Sequence, residues 1–193
     1  MMCRGVSRGS CGVALKNEEE KLMKEYLLLL PIIFIFHDME EIIGFGWFFR
    51  RNPELFERHP KLTAAYRGFT NEGFAIAVYE EFIPFFGITL LAYYFPSRAL
   101  YALWFGMMLS LMGHFAAHIL ICAYVRKFIP SLITSLICLP VSVIILVKTA
   151  QLMTFDGLTV ALTALTVPAM MINMKLGHGL MHCINRRISC SEG

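Results

Sequence analysis

Charge is what this chain has least of. Lys, Arg, Asp and Glu make up 16% of it and hydrophobic residues 57%, with a mean hydropathy of +0.62. A soluble domain carries about 25% charge, so the composition argues for an integral membrane protein with the lipid bilayer as its main partner. A net charge of +3, with no basic stripe interleaved with aromatics, leaves nothing to hold nucleic acid. The six cysteines (Cys3, Cys11, Cys122, Cys138, Cys183, Cys190) form no CxxC pair and no disulfide-like framework. Cys122 and Cys138 lie in apolar stretches, where a thiol behaves as a small hydrophobe. Internal repeats, low-complexity tracts, a secretory cleavage pattern and an amphipathic transit pattern are all missing.

What is there is a series of apolar runs of bilayer length, about 20 residues each. Residues 1–25 are a polar N-terminal tail. Met23-Lys24-Glu25-Tyr26-Leu27 reads as a natural start, so residues 1–22 are expected to be an upstream extension. Residues 26–187 form one transmembrane helical domain, and residues 188–193 a short C-terminal tail. Five spans are expected: Tyr26–Phe49, Gly73–Phe95, Ala99–Val125, Ser131–Met153 and Leu158–Cys183. The fold class is therefore all-α, a polytopic membrane helical bundle. Asn71 reads as the N-cap of the second span, with Glu72 in its first turn. Nine basic residues (Arg50, Arg51, Arg58, Lys61, Arg67, Arg126, Lys127, Arg186, Arg187) fall on the side of the first loop and the C-terminus, against six (Arg4, Arg8, Lys16, Lys21, Lys24, Arg98) on the other. That bias predicts a cytoplasmic C-terminus and an N-terminus outside.

Four of the five spans carry groups that hydrocarbon does not welcome. An ionisable side chain at the bilayer centre costs roughly 2.5–3.5 kcal/mol on insertion scales. In the first span, Glu41 sits about 40° around the helix from His37, and Glu40 about 60° to its other side. The second span has Glu80-Glu81, with Ala77 and Gly73 before them on nearly the same face. The third has His114-Phe-Ala-Ala-His118 and the fifth His178-Gly-Leu-Met-His182. HxxxH puts two imidazoles one turn apart on one helix face, the spacing that chelates a transition metal. Because consecutive spans run in opposite directions, all these groups are displaced toward one, cytoplasmic, leaflet. His182 lies nearest that surface. Lys148 and Lys175 lie within reach of a span end and read as snorkelling, and Asp38 faces a different neighbour from His37. Five His and four Glu exceed the four ligands of one zinc.

His37-Asp38-Met39-Glu40-Glu41 resembles the naming motif of the HXXEE family of integral membrane proteins, mostly bacterial, and the later Glu80-Glu81 and histidines resemble that family's other polar motifs over roughly Glu25–Arg186. The resemblance implies a helical fold in a bacterial inner membrane and points to a metal-dependent enzyme, with no reaction or substrate attached. The residues themselves lead to the same first reading. A zinc or iron site would be built from His37, Glu41, Glu80, Glu81, His114, His118, His178 and His182, with Glu40 as the proton-handling group. A hydrolase or a di-metal oxidase acting on a lipid-like substrate would follow. The alternatives are a metal-ion or proton transporter, and a non-catalytic bundle whose polar face only joins helices. On the first reading, His37 and Glu41 should converge with Glu80 or Glu81 and with His114 or His118. The fourth span should pack outside or behind them.

Overall fold

The computed structural model describes the backbone of residues 8–191 and the side chains of residues 17–187. Every regular element among them is helical: α1 (Arg8–Leu27), α2 (Leu29–Arg51), a single turn α3 (Leu55–Arg58), a 3-10 turn at Ala64–Tyr66, α4 (Asn71–Tyr94), α5 (Arg98–Val125), α6 (Leu132–Leu152) and α7 (Gly157–Ser191). Cys3 lies outside the described residues, and the Cys11 and Cys190 side chains outside the described side chains; Cys122, Cys138 and Cys183 are free thiols.

Local chemistry fixes the helix starts. The hydroxyl of Thr70, not Asn71, caps α4, accepting from the Gly73 N–H at 3.0 Å. Asn71 is displaced into the first turn, and its amide donates to the Ile42 carbonyl of α2 at 3.0 Å. Ser97 caps α5 and Asp156 caps α7 in the same manner. The Thr159 backbone N–H, ahead of the exposed Arg98 partner, holds the Asp156 carboxyl below its usual range. Pro31 is tolerated in the first turn of α2, where its missing N–H would have no partner.

Four helices, α4 to α7, are long and apolar enough to cross a membrane. The first expected span, Tyr26–Phe49, corresponds largely to α2, which falls outside that class because Asp38, Glu40 and Glu41 crowd its middle. These acids do not face outward with its apolar stripe. Ile32, Phe36, Met39, Ile43 and Trp47 of α2, at helical spacing, are exposed, as are Ile35 and the terminal Arg50 and Arg51. Its inward face carries His37, Asp38 and Glu41. The three polar groups are thus set among the buried apolar residues Leu30, Ile33, Phe34, Phe45 and Phe48.

α5 packs along α4, α6 and α7, while α4 also packs on α7 and α2, and α2 on α6. The helices thereby close a ring in the order α2, α4, α7, α5, α6. The α5–α7 seam depends on Gly106, where a Cβ would come within 2.9 Å of the Thr163 carbonyl oxygen. Across the ring, the backbones of α2 and α5 scarcely approach each other. Long side chains fill the space between them, and these are the chemically interesting ones. At the ring's loop end, Lys127 ties the first long loop to the α5–α6 turn, donating to Asn52 and to Glu54 at 2.5 Å each. That hydrogen bond holds the half-buried Glu54 carboxyl below its ordinary range.

Candidate metal centre

α2 presents His37 and Glu41 one turn apart, 0% and 3% exposed. Opposite them, α5 presents His114 and His118, also one turn apart. Glu41 Oε1 lies 2.9 Å from His118 Nε2 and 3.6 Å from His37 Nε2. The Nε2 atoms of His114 and His118 are 2.8 Å apart. One donor atom from each of the four residues lies within 4.8 Å of every other. Tetrahedral bonds of about 2.0–2.2 Å place donors about 3.3–3.6 Å apart, inside this spread. The four groups could hold one metal ion.

Two further observations fit such an ion. His37 Nε2 and Glu41 Oε1 are buried without a hydrogen-bond partner. Glu41 Oε1 is near His118 Nε2 but out of hydrogen-bonding alignment, so the short distance does not satisfy it. An orphaned buried acceptor costs about 1–3 kcal/mol, and more when charged. Among the described residues, moreover, no lysine or arginine pairs with Asp38, Glu40, Glu41, Glu80 or Glu81.

The far sides of the His37 and His118 imidazoles are held from the start of α6. Glu40 Oε2 accepts from both the backbone N–H and the hydroxyl of Thr134, at 2.9 and 2.6 Å. With its hydrogen committed to Glu40, the Thr134 oxygen is left to accept from His37 Nδ1, 2.9 Å away. This network assigns the proton to Nδ1 and turns the Nε2 lone pair toward Glu41. Ser131 does the same service for His118, its hydroxyl 2.8 Å from Nδ1. Ser131 is fully buried at φ 95°, a left-handed conformation that a serine adopts at a cost of order 1–3 kcal/mol. The strained backbone is what aims its hydroxyl at the ring.

The remaining expected residues lie elsewhere. Glu40 is turned by the helix pitch toward α6, and its partner is Thr134, not the histidines of α5 and α7. Glu80 and Glu81 flank Gly177 of α7, whose missing Cβ would come 3.3 Å from Glu80 Oε2 and 2.8 Å from Glu81 Oε1. His178 meets the Tyr66 ring edge-on at 5.7 Å, and His182 is half-buried. The group whose donor atoms lie within 4.8 Å of one another does not include Glu80, Glu81, His178 or His182, although Glu81 lines a cleft with His114. These side chains occupy the α4–α7 seam, which leaves them outside the group of four. Lys148 and Lys175 are exposed.

Two residues escaped the sequence reading. Ser131 and Thr134 sit in the span expected to pack behind the site because it lacks ligand groups. α6 does lie behind, yet its two hydroxyls orient two of the four candidate ligands. A serine and a threonine three positions apart at a helix start read only as capping residues. Asp38 had been set aside as facing another neighbour. It is 5% exposed, its Oδ2 has no partner, and it lines a cleft beside His114.

Residues 28–145 match the model of a family described as a protein of unknown function with HXXEE motif. The match is shorter than the resemblance expected over Glu25–Arg186; it takes in α2, the first loop, α4, α5 and most of α6. No curated protein and no solved structure matches the chain. The motif after which the family is described is the sequence His37-Asp38-Met39-Glu40-Glu41 in the middle of α2, and the chain belongs to the HXXEE family.

Proposed function

We propose that this protein is an integral membrane enzyme, a metal-dependent hydrolase of a lipid-like substrate. The observation that carries the reading is the convergence of His37, Glu41, His114 and His118, two of whose buried atoms have no other partner. Three imidazoles and a carboxylate suit zinc or ferrous iron. One cluster of four donors fits a single metal better than a di-metal oxidase centre. A metal held there would supply Lewis acidity provided it keeps a position open to the substrate beyond its protein donors. The chain's own residues do the rest. Ser131, Thr134 and Glu40 keep the imidazoles of His118 and His37 oriented, and Glu81, at the edge of the neighbouring cleft, accepts the proton released from the attacking nucleophile. Glu40 acts in this scheme as a positioning residue through Thr134.

The reading includes α2 as a fifth span, its acids shielded by α4, α5 and α6 and its apolar stripe facing lipid. The nine-to-six basic bias sets the C-terminus in the cytoplasm and the N-terminus outside, in a bacterial inner membrane. The test is to load the full chain with zinc or iron in liposomes of bacterial lipid extract and follow the lipids by mass spectrometry. New cleavage products that disappear with His37→Ala support the proposal. Unchanged lipids, with metal crossing the bilayer, would make the protein a transporter instead.

A further inference from the structure

A cleft of about 330 Å³ opens beside the four-residue group, at the small end of ligand sites, which run to about 1,000 Å³. Its walls divide by chemistry. At one end lie His114, Asp38 and Glu81; apart from Ser110, whose hydroxyl donates to the Gly106 carbonyl, the rest is apolar, including Phe34, Phe85 and the α7 methionines Met170, Met171 and Met174. Met171 is 55% exposed on the outer surface of the bundle. On the reading of α7 as a membrane span, that end of the cleft meets lipid. The polar end meets a candidate metal ligand.

Two further details concern what the polar end would accept. Asp38 Oδ2 is buried and unpartnered, an acceptor waiting for a donor. Among the described residues, no lysine or arginine lines the cleft. A carboxylate or phosphate head would therefore meet two carboxyl groups with no basic side chain to offset them. A hydroxyl or amine head would instead donate to Asp38. Gly113, next to His114, leaves the cleft its width, for nothing lies within 4 Å of the Cβ it lacks.

We infer that this cleft binds a single-chain membrane amphiphile with a hydrogen-bond-donating head, an alcohol or an amine, its alkyl chain along Met170, Met171 and Met174 and its head on Asp38. The inference rests on the proposed function for its purpose but not for its geometry, since the cleft needs no metal to exist. Methionine suits the role, being flexible enough to repack around chains of different shape.

The experiment uses the full chain in nanodiscs and three photoreactive probes, a long-chain alcohol, amine and carboxylic acid, each with a diazirine in the chain. Crosslinked peptides are mapped by mass spectrometry. The alcohol and amine are expected to label Met170–Met174, and the acid at least tenfold less. Gly113→Leu, which grows into open space, should abolish that labelling while metal content stays unchanged. Asp38→Asn with Glu81→Gln should bring acid labelling to within about threefold of the alcohol. His37→Ala, which removes the metal on the proposed function, should leave alcohol labelling intact. Equal labelling by all three probes, or label unaffected by Gly113→Leu, overturns the inference without touching the metal centre. A site that labels as expected but holds no metal overturns the function and leaves the inference standing.

Discussion

Two HxxxH pairs sit in this molecule on neighbouring helices, and they have different fates. His114 and His118 on α5 converge with His37 and Glu41. His178 and His182 on α7 do not join them, although their spacing is the same and carboxylates stand across the seam on α4. The α5 pair faces a gap between widely set helices, into which side chains of α2 also project. It also has a hydroxyl behind it, Ser131, fixing one imidazole. The α7 pair lies where α4 and α7 are packed together, with His178 against Tyr66, and neither imidazole belongs to the group of four. Spacing on a helix supplies two donors on one face. A third and fourth donor, and something to hold the rings, decide whether they can share an ion.

The sharpest way to break this contrast is to remove donors from each pair in turn. Glu41→Gln or His118→Ala should weaken zinc binding by more than about 100-fold, because each takes away a direct donor. The double variant His178→Ala with His182→Ala should stay within about threefold of the native affinity. Isothermal titration with zinc in detergent distinguishes the two. Loss of zinc from the α7 double variant would erase the distinction.

The orienting hydroxyls give a smaller effect of the same kind. Thr134→Val, which breaks the link from Glu40 to His37, should cost about 10–100-fold in metal affinity. Ser131→Gly separates fold from site: glycine relieves the φ of 95° and should raise the melting temperature, while losing the hydroxyl should weaken metal by about tenfold. A variant both more stable and equally tight would show that Ser131 only turns the chain.

The smallest effect lies at the loop clamp outside the bundle. Glu54 has its folded carboxyl pKa lowered by Lys127. The stability it contributes is therefore present above the ordinary value of 4.5 and is lost as pH falls through the lower folded value. Melting profiles of native protein and Lys127→Ala should differ at pH 6 and converge at low pH. Both side chains are more than a third open to solvent, at 34% and 37%, so the gap should be small. It should leave zinc affinity unchanged, since the clamp ties loops and not ligands.

Much of this was legible in the residues. The helices follow from apolar runs of bilayer length, and the chemistry of α2 follows from His37 and Glu41 standing one turn apart. Depth in alternating spans correctly grouped them with His114 and His118. It could not separate Glu80, Glu81, His178 and His182 from that group, because depth says nothing of which helices are neighbours around a ring. Asn71 shows a similar limit on a small scale. Thr70 and Asn71 are both good caps, and the hydrogen bond to Ile42 across the interface decides between them. Ser131 was invisible for a different reason: a positive φ in a serine has no sequence signal, and its value lies entirely in a partner 13 residues away.

The central claim is that three histidines and one glutamate hold a single metal. X-ray absorption at the zinc edge of the full chain, purified in detergent and loaded with one equivalent, reads the ligands directly. The account predicts about three imidazole nitrogens at about 2.0–2.1 Å and a carboxylate oxygen at about 2.0–2.2 Å, with no sulfur. One imidazole should disappear in His114→Ala and none in His178→Ala. A sulfur shell, a spectrum with one histidine or fewer, or one that changes with His178 and not with His114, would contradict it.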